Sequence, residues 1–173
     1  MRYFNTSGPC NPKEHYTVMR PALIAKGREM VRQGRYFTLF APRQAGKTTY
    51  FQLLIKELRG EYTPIWISLE NLKTVSKEAF YKDVEHQLGE EFLPYNIQPG
   101  YPIKNHTEFS YFFDKIKNQI KPVVLFIDEF EGIPDSVLSE MMHTFRKMYH
   151  RRDYHVLHCV VLVGVSTVAE LVV

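Results

Sequence analysis

Apolar residues follow two rhythms along this chain. The runs "RYFTLFA" (35–41), "PIWISLE" (64–70), "PVVLFIDEF" (122–130) and "HVLHCVVLVGVS" (155–166) are short, nearly continuous and rich in aromatic and β-branched residues, which predicts buried strands. Elsewhere apolar positions recur every three or four residues, the period of a helix with one buried face. That pattern predicts helices over 22–33, over Lys47–Arg59 with Gly60 closing it, and over 76–88, 107–120 and Pro134–Arg151. The inward stripes are Leu23, Ile24, Met30 and Val31 in the first of these, Phe80, Val84 and Leu88 in the third, and Phe109, Phe112, Phe113 and Ile116 in the fourth. The last has the longest stripe, running from Val137 through Leu138, Met141, Met142, Phe145 and Met148 to Tyr149. Residues 1–21, with Pro9, Pro12 and Pro21, predict an irregular arm, and 89–105, with Pro94, Pro99 and Pro102, a loop.

Strand and helix in alternation, with strands that do not themselves alternate polar and apolar, predict an α/β fold: a parallel sheet with helices on both faces, in three layers. One domain over 1–173 accounts for the length, with 1–34 as arm and first helix and 35–173 as the core. Ligands of such sheets sit at the carboxyl ends of the strands. Two polar motifs fall there.

The first is "APRQAGKTT", residues 41–49, between a strand and a helix. A phosphate loop needs backbone N–H groups converging at a helix N-terminus, a glycine where the chain bends back, a lysine for the β- and γ-phosphates and a hydroxyl for Mg²⁺. Gly46, Lys47 and Thr48 supply the last three. The usual first glycine is Ala41, which serves wherever φ stays negative, and Pro42 stiffens the turn. The second motif is "VVLFIDEF", an apolar strand that ends in Asp128 and Glu129. A carboxylate at that edge can hold Mg²⁺, and a neighbouring one can orient and deprotonate water.

Together these motifs resemble the additional-strand, catalytic-glutamate class of P-loop ATPases. With the arm "FNTSGPCNPKEHY", the loop "GRYFTLFAPRQAGKTT" and "LFIDEFE", the chain is similar to the bacterial AAA-like ATPase domain family over nearly its whole length. The resemblance implies ATP and Mg²⁺ as ligands. Ala41, Pro42, Arg43, Gln44, Ala45, Gly46, Lys47, Thr48 and Thr49 would cradle the phosphates, Thr48 and Asp128 would hold the metal, and Glu129 with Lys47 would serve hydrolysis to ADP and phosphate. It implies a regulatory or signalling switch. It also places a polar sensor at the end of the last strand, for which Ser166 and Thr167 are candidates beside the alternative of a helix N-cap. The family's next helix, fifth strand and lid have no counterpart in the sequence, so a C-terminally incomplete core, finished by a further region or a protein partner, is expected.

Composition adds bounds. Hydrophobic residues make up 45% and charged residues 24%, and 22 Lys+Arg against 19 Asp+Glu leave a net charge of +3, too balanced to point to nucleic acid. Two cysteines give no disulfide framework, and no apolar run is long enough to span a bilayer, so a cytoplasmic setting without membrane contact is expected. His150, His155, His158 and Cys159 suggest zinc only if a bulge brings His158 and Cys159 to one side. Arg146, Arg151 and Arg152 read as a basic helix end or, in a homo-oligomer, as an arginine finger. Arg43 suits a phosphate contact or a loop brace, and His15 or Tyr16 could stack on a base or simply pack on the sheet. Two functions compete with hydrolysis: a nucleotide-binding interaction module without turnover, and a small-molecule kinase. No Asn-Lys-x-Asp motif for guanine occurs.

Overall fold

Strand β3 (Val123–Asp128) is buried at all six positions, and its side chains divide between two cores. Val124 and Phe126 enter one; Val123, Leu125 and Ile127 enter the other. A strand buried on both faces requires a helical layer on each side. In this computed structural model, which describes residues 3–4, 11, 13–40, 42, 45–97 and 100–165, those layers are present. Helices α1 (Pro21–Arg32) and α2 (Lys47–Leu58) cover one face, through Val31, Phe51, Leu54 and Leu58. On the other face lie α3 (Lys77–Phe92), α4 (His106–Lys115) and α5 (Asp135–His150), whose aromatic stripes form the larger core.

The sheet also contains β1 (Phe37–Phe40), β2 (Thr63–Ser68) and β4 (Leu157–Gly164). All pairings are parallel, in the order β1-β4-β3-β2. The last strand in the chain therefore lies between the strand that feeds the GKT loop and the strand that ends in Asp128. The α/β architecture with a parallel, doubly covered sheet agrees with the reading from the sequence.

Some boundaries differ, each for a local reason. Helix α3 runs to Phe92 instead of residue 88, because Phe92 continues the buried stripe and Pro94 is placed in a following 3₁₀ turn, Leu93–Tyr95. Strand β3 stops at Asp128 because Glu129 turns into the left-handed region, at φ 49° and ψ 48°. The register between β3 and β4 passes from Val123 opposite Leu157 to Val124 opposite Cys159, leaving His158 as a bulge. Even so, His158 and Cys159 do not share an ion site. His158 Nε2 donates to the Val31 carbonyl at 2.8 Å, the buried Cys159 thiol donates to the Arg35 carbonyl at 2.8 Å, and His155 Nε2 donates to the Met148 carbonyl at 2.9 Å. Among the described residues no group of three or more His, Cys, Asp or Glu could hold a metal by itself, and no helix is long and apolar enough to cross a membrane.

The two sheet edges differ. On β2 the outward N–H groups of Trp66 and Ser68 are taken by Glu91 Oε2 at 3.0 Å and Gln87 Oε1 at 2.7 Å, both from α3, while Pro64 has no N–H to expose. On β1, among the described residues, no side chain plays that part. Apolar grooves open beside β1 on both faces, one lined by Leu23, Leu39 and Phe51 and the other by Tyr36, Phe145 and Tyr149, and Phe40 is 42% exposed.

The β3 exit is fixed by a close backbone approach. A Cβ on Gly132 would fall 1.9 Å from the Leu69 carbonyl oxygen. Gly132→Ala is therefore expected to cost about 2–3 kcal/mol of stability, read from the urea midpoint at unchanged slope. A midpoint equal to the wild type would mean that this turn moves freely away from Leu69.

Candidate functional site

The exit of β1 leads through Pro42 and Ala45 to Gly46, which precedes α2 with φ 81° and ψ 25°. A side chain at this position would meet no atom of the described residues within 4 Å, and the positive φ is what calls for glycine here. The Ala45 N–H donates to the Pro42 carbonyl at 3.2 Å and the Tyr50 N–H to the Gly46 carbonyl at 3.0 Å, closing the turn into the helix. Gly46, the residue before the helix, has no side chain with which to cap it. The first N–H groups of α2 lack intrahelical acceptors by construction, which suits an anion. Lys47 lies on this first turn, its Nζ 3.5 Å from the Pro42 carbonyl, with Thr48 and Thr49 beside it, all three half-buried.

At the exit of β3, Asp128 is 8% exposed, and its Oδ1 accepts the Glu129 N–H at 2.9 Å. Burial raises the Asp128 carboxyl above its ordinary range; the Glu129 N–H and the Lys47 charge oppose this, and Glu131 and Glu70 reinforce it. Glu129 is also raised, first by burial and then by the neighbouring Glu131 and Asp128, again with Lys47 opposing. The same lysine charge therefore reaches both acids of the pair. Lys47 arrives from the β1 exit and the acids from the β3 exit, and the fold brings them to one edge of the sheet across β4.

The remaining candidates fall as follows. Ala41, Arg43, Gln44, Ser166 and Thr167 lie outside the described residues. His15 is buried within the arm, where its Nδ1 accepts the Asn11 N–H at 2.9 Å and its ring meets Tyr3 edge-on at 4.8 Å, so it is not available to stack on a base. Tyr16 is 56% exposed and lines a groove with Arg20, Gly46 and Thr49. Arg151 and Arg152 follow α5 at the amino end of β4, stacked over the rings of Tyr154 at 4.6 Å and Tyr149 at 4.3 Å. Sequence reasoning missed Glu131. Its Oε1 accepts the Val165 N–H at 3.2 Å, linking the acidic turn to the end of β4. The signal was available in "DEFEG", where a third acid follows the pair.

No known family profile matches the chain, and no curated protein matches it in sequence. Solved structures do. A Walker-type ATPase of Pyrococcus abyssi superposes with a TM-score of 0.61 at 12% identity, covering 92% of this chain and 48% of that one. The Drosophila ORC, in a structure bound to poly(dA/dT) DNA and Cdc6, gives a TM-score of 0.58 at 14% identity, covering 88% of this chain and 25% of that one. This chain thus spans about half the length of the first and a quarter of the second. At such identities the likeness concerns architecture, and in architecture this chain has the α/β, P-loop ATPase-like fold.

Proposed function

We propose that this chain is a nucleotide-binding ATPase domain that binds Mg-ATP and hydrolyses it to ADP and phosphate, with the nucleotide state acting as a regulatory or signalling switch. One observation carries the reading: the lysine of a glycine-turned loop and a strand-terminal Asp-Glu pair lie close enough for the lysine to bias both acids. The P-loop ATPase-like fold supports it.

In this reading the N-terminus of α2 and Lys47 bind the β- and γ-phosphates, with Pro42, Ala45, Gly46 and Thr49 shaping the cradle. The residues also fit Mg²⁺. Asp128 is a desolvated carboxylate with one oxygen committed to the Glu129 N–H, so a cation at its other oxygen relieves the cost of burying its charge. Thr48 and Asp128 would hold the metal, which would neutralise phosphate charge when bound. Glu129 orients water and takes its proton. Burial and neighbouring acids make it a stronger base than a solvated glutamate, which suits that work near neutral pH. The open edge of β1 supports completion of the sheet by a further strand, from a C-terminal region or a protein partner. A reducing, cytoplasmic setting accords with a sequence of two cysteines, too few for a disulfide framework.

Lys47→Ala is expected to weaken binding of a slowly hydrolysed Mg-ATP analogue by about a hundredfold, as the loss of one charge-assisted phosphate contact dictates. Calorimetric titration measures it. Glu129→Gln should bind within a few-fold of wild type while phosphate release drops about a hundredfold or more. Turnover by Glu129→Gln at the wild-type rate would remove Glu129 as the base. Wild type that binds and releases no phosphate would select the interaction-module reading.

A second expectation concerns the ligand-free protein. Because the folded Glu129 carboxyl is raised above its usual value of 4.5, its ionisation opposes folding. The stability it contributes is present below that value and is lost as pH rises through the folded value. Glu129→Gln should therefore match wild type in strongly acidic buffer and exceed it at pH 7, measured by urea denaturation across pH. Stability curves that stay parallel over that span would refute the electrostatic argument.

A further inference from the structure

We propose that Glu131 is a positioning residue for Glu129, tying the turn that carries the base to the exit of β4; this rests on the reading of Glu129 as the base. Strand β4 lies between β1, which feeds the phosphate loop, and β3, which delivers Asp128 and Glu129. Its carboxyl end is therefore the structural element between the phosphates and the base. The ladder between β1 and β4 ends at Phe40 opposite Gly164, so the next N–H along β4, that of Val165, lies past the end of the ladder. Glu131 Oε1 accepts it at 3.2 Å.

The other oxygen points the same way. Glu131 Oε2 is buried and, among the described residues, has no hydrogen-bond donor. It occupies the space beside Gly164: a Cβ there would fall 2.3 Å from Oε2, and the three nearest atoms to that position all belong to Glu131. The Glu131 carboxyl is also among the neighbours that raise the Glu129 carboxyl. One side chain thus holds the exit of β4 by a hydrogen bond and acts on the base two residues before it. Phe130 is buried and Gly132 is pressed against Leu69, so the backbone between and beyond the two glutamates has little freedom, and the Glu131 carboxyl has a defined place. A side chain that merely filled space would not need to be an acid here. An alanine at position 164 would do that with less buried charge.

The test is a double-mutant cycle on the 173-residue chain. It reads kcat from phosphate release at saturating Mg-ATP, and Kd from titration with the slowly hydrolysed analogue. Glu131→Ala and Gly164→Ala should each lower kcat by about tenfold, since both displace the base by a fraction of an ångström, with Kd within about twofold of wild type. The double variant should be no slower than Glu131→Ala alone, because the added methyl then meets nothing. Glu131→Gln should recover most of the loss, its amide oxygen still accepting the Val165 N–H. If Glu131→Ala does not fold, Glu131→Asp, one methylene shorter, gives the same comparison. The inference is overturned if Glu131→Ala turns over like wild type, if the two losses multiply in the double variant, or if the loss lies in Kd. Wild type that binds Mg-ATP without turnover would instead bring down the reading of Glu129 as the base, and this inference with it.

Discussion

Six consecutive buried residues of β3 end in Asp128, Glu129 follows at once, and the chain must leave the core between one peptide and the next. The solution is a turn in which Glu129 takes the left-handed conformation, Asp128 accepts the Glu129 N–H, and the Gly132 N–H returns to the Glu129 carbonyl at 2.7 Å. A glutamate in that conformation costs on the order of 1 kcal/mol. The cost is borne at the residue to which we assign proton transfer, and the surroundings enforce it: Phe130 is locked in the larger core and Gly132 lies under Leu69. Rigid packing below the turn is what holds the two carboxylates above it.

The electrostatics of the site follow from the same geometry. Glu131 and Glu70 act on Asp128, Glu131 and Asp128 act on Glu129, and the Lys47 charge opposes both effects in partly desolvated surroundings. Burial and these neighbours push Asp128 and Glu129 toward their neutral forms. In the function we propose, a divalent cation carried by a polyphosphate would meet the acids with positive charge while the polyphosphate would meet Lys47 and the N-terminus of α2 with negative charge. A site so arranged is complementary to a paired ligand, and to neither of its halves alone.

Among the described residues the two edges of the sheet are treated differently. At β2, side chains from α3 satisfy the outward backbone and a proline removes a donor. At β1, among the described residues, no side chain plays that part, and an apolar groove opens on each face. Exposed strand edges recruit further strands, and proteins normally blunt the ones they keep. In the function we propose, this edge belongs to the strand that feeds the phosphate loop, so a strand that paired with it would be coupled directly to the nucleotide.

Much of this was legible in the sequence. Buried strands announce themselves as unbroken apolar runs and helices by their spacing, because burial on two faces and on one face impose different periods. Gly46 and the Asp128-Glu129 pair were legible for a similar reason, since a left-handed turn and a strand-terminal acid leave marks in the residues themselves. Strand order was not legible. Nothing local in β4 says that it inserts between β1 and β3, because parallel neighbours are chosen by long-range packing and not by adjacent residues. Nor could the sequence show that His158 bulges yet binds the Val31 carbonyl, that His15 is buried within the arm, or that Glu131 reaches the exit of β4. His158 and Glu131 depend on partners far along the chain, and His15 on how the arm folds back on itself. By itself the sequence determined which segments are buried and which residues are candidates for the chemistry; only the tertiary structure decided what faces what, because a side chain's partner across a sheet is set by the packing of the whole.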